Sequence, residues 1–183
     1  MLLNYTEPIR SKKIIRNILI YLKNKNQRDY MLFLIGIHTG LRISDLLRLR
    51  VRDVKDKSHI TLIEKKTKKH RKILINKELK MELKDYLQGK AHYEYLFQSR
   101  EGGNNPISRV RAYQILYELG DIFGIHISCH TLRKTFGYVH YKSNNDVVYL
   151  MEIFNHATPK ITLRYIGVMQ DELDRSTSDM SFL

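Results

Sequence analysis

The chain has 183 residues, 43% of them hydrophobic, with 32 lysines and arginines against 19 aspartates and glutamates, a formal net charge of +13. That length and apolar content build one domain with a buried core and exclude a disordered or fibrous chain. The charge exceeds what solubility needs and implies a polyanionic partner, nucleic acid ahead of an anionic membrane surface.

Ser11 caps a helix whose apolar positions Ile14, Ile15, Ile18, Leu19 and Leu22 recur at helical spacing, and Asn24 and Asn26 end it. A second helix, Arg28–His38, is apolar nearly all round and so belongs at the centre of the core, until Thr39–Gly40 breaks it. Ser44 is expected to cap a third helix carrying Leu46, Leu47 and Leu49. His59–Ile63 and Lys72–Ile75 read as short strands around Glu64–Arg71, a run of charge with the pattern of an exposed hairpin. Lys77–Leu87 is amphipathic and helical, Glu101–Pro106 is a Gly/Asn-rich loop, and Ser108–Phe123 is a strong helix. Ser128 caps a helix reaching about Tyr141 and Asp146 another reaching about Phe154. Thr158–Pro159 opens the last, since proline suits a first helical turn. The fold class is therefore mainly α with a small antiparallel β-hairpin or three-stranded sheet (α+β), with no internal repeat or flexible linker.

The lone Cys129 rules out an internal disulfide and fits a reducing compartment. Charged residues interrupt the N-terminus at Glu7, Arg10, Lys12 and Lys13, and the longest apolar run, Met31–Ile37, is too short to span a bilayer. The expectation is a soluble cytoplasmic protein with no membrane partner. There is no phosphate-binding glycine cluster, no paired cysteine motif and no acidic cluster for two-metal chemistry, so no cofactor and no metal are expected. His126, Cys129 and His130 stand close together but lack a fourth ligand at zinc spacing.

What remains is a set of basic residues and one tyrosine at element boundaries. Arg42 follows the Thr39–Gly40–Leu41 break, where a helix start aims backbone N–H groups at an anion. His130 and Arg133, three apart, share a helix face, and Lys65, Lys66, Lys68 and Lys69 crowd the hairpin tip. His156 lies between two helices, and Tyr165 ends the next one. Two arginines can grip a phosphodiester and neutralise the charge building on its oxygens; a lysine can protonate a leaving oxygen and a tyrosine can attack phosphorus. Plainer roles stay open for each: a surface arginine at 42, a pairing of Arg133 with Asp121 or Glu152, a His130 satisfied by Ser128, a core aromatic at 165, a solvated lysine turn.

Gly40-Leu41-Arg42-Ile43-Ser44-Asp45-Leu46-Leu47 resembles the first arginine box of the tyrosine-type site-specific recombinases, the phage integrase family. His130-Thr131-Leu132-Arg133-Lys134-Thr135-Phe136 is similar to that family's His-x-x-Arg box. Asn155-His156-Ala157-Thr158 with Ile161-Thr162-Leu163-Arg164-Tyr165 resembles the segment holding its last histidine and its nucleophile. Alignment of Lys66-Thr67 through Arg71-Lys72-Ile73 with the family's β-hairpin puts its lysine at Lys66, with Lys68 or Lys69 next if the register shifts. The boxes occur in the family's order and cover nearly the whole chain.

The resemblance implies the family's DNA breaking–rejoining catalytic-domain fold and a site-specific recombinase or integrase working through a 3′-phosphotyrosyl intermediate without ATP or metal. Arg42 and Arg133 would clamp the scissile phosphate, Lys66 would protonate the leaving 5′-oxygen, and His130 would assist proton transfer from the tyrosine. His156 would support the phosphate or the transition state, and Tyr165 would attack. Double-stranded DNA is the implied partner, with a homo-tetramer on paired sites and a bacterial or phage source. A catalytically inactive DNA-binding regulator of the same fold and type IB topoisomerase-like strand relaxation are the alternatives. The whole of 1–183 reads as a single catalytic domain, with 1–10 an N-terminal extension and 167–183 a C-terminal tail, and no N-terminal core-binding domain; it is either a natural single-domain member or an excised fragment. In the tail, Ile166, Val168, Met169 and Leu173 can form an apolar face, and Met180, Phe182 and Leu183 are expected to be exposed; the resemblance implies docking on a neighbouring protomer, and a tail folded onto its own domain or disordered stands beside it. One position departs from the family: Asn155 stands where glycine is usual, and asparagine tolerates the left-handed backbone such a turn needs.

Overall fold

The computed structural model describes residues 6–178, 180 and 181. Helix α1 (Lys12–Lys25) starts where the Ser11 hydroxyl accepts the N–H of Ile14, a cap worth about 1 kcal/mol. Asn26 closes it and at once caps α2 (Gln27–Thr39), its Oδ1 taking the N–H groups of Arg28 and Asp29. Within α2, Met31, Leu32, Phe33, Leu34 and Ile35 are all buried, which is why the helix is apolar all round: other elements cover it on every side.

Gly40 ends α2 in the left-handed region (φ 59°), and a methyl group there would meet the Phe136 ring at 2.5 Å, so the break needs glycine twice over. The third helix differs from expectation. α3 (Ile43–Leu46) is a single turn with Arg42, not Ser44, at its N-cap, and Leu47 and Leu49 lie beyond it in the core. A 3-10 turn (Val51–Asp53) leads to β1 (His59–Ile63), paired antiparallel with β2 (His70–Leu74) from His59 opposite Leu74 to Ile63 opposite His70. The sheet is thus a two-stranded hairpin, and β2 starts two residues earlier than its apolar run suggests because pairing carries through His70 and Arg71.

Next come α4 (Lys77–Tyr86), capped by Asn76, and α5 (Arg109–Phe123), capped by Ser108 and closed by a left-handed Gly124. Then α6 (Cys129–Asn144), capped by Ser128, runs three residues past Tyr141 to a left-handed Asn145. It crosses α2 so closely that a methyl on Gly36 would touch Leu132 at 2.7 Å. The last elements are α7 (Val147–Phe154), α8 (Pro159–Tyr165) and α9 (Val168–Ser178). They build a second, smaller core from Phe136, Leu150, Ile153, Phe154, Ile166 and Val168.

Residues 6–10, expected as an extension, are packed in their described part. Ile9 is buried with its N–H on the Thr135 hydroxyl (2.9 Å), and Arg10 donates to Asp171 of α9 (2.7 Å) and to the Gly167 carbonyl. Tyr138 and Lys142 of α6 reach the same Asp171. The tail is therefore folded onto its own domain through Val168, while Leu173 and Met180 are exposed; Phe182 and Leu183 lie outside the described residues.

Candidate active site

Arg133 lies at the junction of the two cores and is only 5% exposed. Its Nη1 donates to the Gly40 carbonyl and its Nη2 to the Ile153 carbonyl at 3.1 Å, while its Cζ sits 4.6 Å from the Phe154 ring centre. Neither Asp121 nor Glu152 is its side-chain partner. Carbonyl dipoles and an aromatic face hold the guanidinium without neutralising it, so its charge is available to an anion. Burial lowers its pKa to about 10, with the charges of Tyr165 and Glu64 pulling upward and those of Arg42 and Arg71 downward, so it stays charged at neutral pH.

The Gly40 break places Arg42 at the start of α3 with its Nη1 2.8 Å from Glu64 Oε2. Glu64 corrects the reading of Glu64–Arg71 as a wholly exposed run, for it is 1% exposed. Its other oxygen, Oε1, accepts from Arg71 Nε at 3.2 Å, and the Thr67 hydroxyl donates to Oε2, the oxygen beside Arg42. Lys66 stands exposed on the turn beyond, near enough for its charge to act on His130. The remaining turn lysines, 65, 68 and 69, are exposed too.

On the opposite side, α7 ends at Asn155 in the left-handed region (φ 59°, ψ 52°), the geometry expected where the family has glycine. The turn is held by the His156 N–H on the Met151 carbonyl (3.0 Å), and His156 Nδ1 lies 3.1 Å from the Thr162 hydroxyl, which fixes the ring. Tyr165 meets that ring edge-on with centroids 5.1 Å apart and contacts Phe154 at the same separation. The ammonium of Lys134 lies 5.2 Å from the Tyr165 ring centre and also donates to the Thr6 carbonyl.

Among the six sequence-derived candidates, the charges of Arg42 and Arg133 act on His130, His156 and Tyr165, and that of Lys66 acts on His130. Burial raises the Tyr165 phenol above its ordinary value, against the pull of Arg133 and Arg42. Loss of water lowers His130, helped by Arg133, Lys134, Arg42 and Lys66, and lowers His156, helped by Arg133 and Arg42. At neutral pH both imidazoles are therefore neutral and able to take a proton, and the phenol holds one to give.

Three residues of the site carried no role in the sequence: Glu64, Arg71 and Lys134. For Glu64 a signal existed. Strand alternation puts position 64 on the same face as Ile60 and Leu62, hence inward. Arg71 and Lys134 have no comparable local mark, because their partners lie far along the chain.

A model of the phage integrase family matches residues 10–172. The chain is 48% identical over 170 residues to a probable integrase/recombinase of Bacillus subtilis, covering 92% of this chain and 93% of that one. It is 30% identical over 159 residues to a tyrosine recombinase of Pyrococcus furiosus, covering 85% of this chain but 56% of that one. Among solved structures, a XerA recombinase superposes with a TM-score of 0.72 at 20% identity, over 97% of this chain and 65% of that one. A XerH site-specific recombinase bound to its palindromic substrate in a post-cleavage complex gives 0.72 at 18%, over 96% and 54%. The fold is thus that of tyrosine recombinase catalytic domains, and the chain spans little more than half of several of the longer relatives it matches. By sequence match and by architecture, this chain belongs to the phage integrase family.

Proposed function

We propose that this chain is a site-specific DNA recombinase that cuts and rejoins duplex DNA through a 3′-phosphotyrosyl link at Tyr165, as a homo-tetramer on paired sites. The observation that carries this reading is the setting of Tyr165: edge-on to His156, with the charges of a buried Arg133 and of Arg42 acting on its hydroxyl. A phosphodiester supplies the anion for Arg133, whose hydrogen bonds to the Gly40 and Ile153 carbonyls and contact with the Phe154 ring leave its charge without a carboxylate partner at bonding distance. Arg42 and Arg133 take its non-bridging oxygens. The phenolic proton passes to His130, the phenolate oxygen bonds to phosphorus, and the P–O5′ bond breaks as Lys66 gives a proton to the departing oxygen. His156 supports the phosphate in the transition state. One phosphodiester replaces another, so a second 5′-hydroxyl reverses the step without ATP.

The domain reading that fits is a single catalytic domain over 1–183, supported by near-complete coverage of the Bacillus relative. Arg48, Arg52, Arg109 and Arg111 are exposed and suited to phosphate contacts along the duplex. Arg50 is not, for it lies on the Tyr95 ring (4.3 Å) and donates to the Tyr93 carbonyl. The part of the tail suited to docking on a neighbouring protomer begins past Asp171, where Leu173 and Met180 are exposed.

The test is a nicked suicide duplex made from the DNA that flanks the gene, incubated with the native protein and with Tyr165→Phe. A denaturant-resistant adduct with the native protein alone is expected, with binding that weakens steeply with salt. Salt-sensitive binding without an adduct would identify a DNA-binding regulator, and relaxation of supercoiled DNA without exchange would identify a topoisomerase-like activity.

A further inference from the structure

Glu64 is a buried charge of this site to which the proposed chemistry assigns nothing. Its two oxygens serve three side chains from three parts of the fold: Thr67 in the hairpin turn, Arg42 at the start of α3, and Arg71 on β2. Arg71 in turn donates from Nη2 to the carbonyls of Glu152 and Ile153, at the end of α7. Burial by itself would raise the Glu64 carboxyl, but the Thr67 hydroxyl and the two guanidinium groups outweigh it and hold the group below its usual range. Glu64 is therefore an anion at neutral pH. Its backbone closes the turn too, accepting the N–H of Lys68 and donating to the Lys69 carbonyl, both at 3.0 Å. One step further, the Lys65 N–H donates to Asp45 Oδ1 at 2.8 Å. Lys66, exposed in the middle of this turn, has its backbone placed by the bonds of its neighbours.

We infer that Glu64 is a positioning residue: it locks the turn carrying Lys66 to the Arg42 guanidinium and, through Arg71, to the end of α7, so that proton donor and phosphate clamp meet one phosphate as a unit. This inference rests on the recombinase reading above for the role of Lys66. In Glu64→Gln the shape is kept, but two largely buried guanidinium groups lose their counter-ion and the amide donor faces donors. The turn then separates from α3, and Lys66 moves off the leaving oxygen.

The distinguishing readout is the leaving group. A duplex with sulfur in place of the bridging 5′-oxygen releases a thiolate, and because a thiol (about 8.5 for cysteine) is several pKa units more acidic than an alcohol, it departs without a proton donor. Single-turnover adduct formation is measured on oxygen- and sulfur-bridged duplexes for the native protein and for Lys66→Ala, Glu64→Gln, Thr67→Val and Tyr165→Phe. Glu64→Gln is expected to slow cleavage of the oxygen duplex about 10- to 100-fold, the scale of a misplaced group, and to cut the sulfur duplex at close to the native rate, as Lys66→Ala should. Thr67→Val, which removes the hydroxyl bonds to Glu64 and the Lys69 N–H and buries no charge, should show the same pattern more weakly, so the inference stays testable if Glu64→Gln unfolds.

Equal slowing of Glu64→Gln on both duplexes while Lys66→Ala is rescued would overturn the inference and leave the recombinase reading standing. Native rates on both would overturn it equally. A Lys66→Ala protein not rescued by sulfur would remove the role given to Lys66, and the inference with it. No adduct from the native protein on either duplex would refute the recombinase reading itself.

Discussion

Gly137 sits inside α6, where replacing glycine by alanine ordinarily stabilises a helix by about 1 kcal/mol. Here the added methyl would lie 2.6 Å from Ile166 Cγ2 and 2.7 Å from two carbons of the Phe154 ring. Both neighbours are buried in the second core and have little space to retreat, Ile166 at 0% and Phe154 at 3% exposure. Overpacking of this kind costs about 1–3 kcal/mol, so it outweighs the propensity gain and leaves Gly137→Ala less stable by about 1 kcal/mol. For a chain of this size that lowers Tm by about 2–4 °C. The methyl also pushes on the residue that follows Tyr165 and on the ring beneath Arg133, so adduct formation should slow about tenfold. Calorimetry and the suicide-duplex assay measure both effects. Gly103→Ala is the control, because its methyl meets nothing within 4 Å, and its Tm should hold or rise. A Gly137→Ala protein that melts higher than the native one would refute the close packing of α6 against Ile166 and Phe154.

Three further outcomes follow from named contacts. Adduct formation should fall only as pH drops below the ordinary histidine value of about 6.5, because burial and the surrounding positive charges hold His130 low and neutral above it; Lys134→Met, removing one such charge, should move the acid limb upward in a single-turnover pH profile. At Asn155, φ is 59°, so Asn155→Gly should leave the denaturation midpoint unchanged, whereas Asn155→Val should cost about 1–3 kcal/mol in chemical denaturation, equal costs counting against the left-handed turn. Arg10→Ala breaks the partly exposed ion pairs to Glu7 and Asp171 and should cost under about 1 kcal/mol, yet free α9 enough to speed tryptic cutting at Arg175; an unchanged digestion rate would mean that α9 is held by its apolar residues alone.

Most of the scaffold was legible because the cues are local. Ser11, Ser108, Ser128, Asp146 and Thr158 each cap the helix their positions predicted, and the apolar α2 is the buried centre. Local cues failed where a partner far along the chain decides. Ser44 is a good capping residue, but the hold of Gly40 on Arg133 and of Glu64 on Arg42 starts α3 two residues earlier. Arg42, Arg133, His156 and Tyr165 stood out through spaced boxes, and in the structure the charges of Arg42 and Arg133 act on His130, His156 and Tyr165, with that of Lys66 on His130. Glu64 was hidden by its lysine-rich neighbours, since a charge run suggests a solvated loop unless strand parity is followed to its last residue.

The Ile153 carbonyl receives both Arg133 and Arg71, and so joins the buried guanidinium to the hairpin through an atom that no codon specifies. Exchanging Ile153 for another apolar side chain leaves that oxygen in place, so a scan of side-chain substitutions would record the position as tolerant and miss the junction. Only a backbone edit reaches it: an ester in place of the amide between Ile153 and Phe154 weakens the acceptor and leaves every side chain untouched. Genetic variation at this position therefore samples packing, while the connection between the two arginines is inherited through the fold itself.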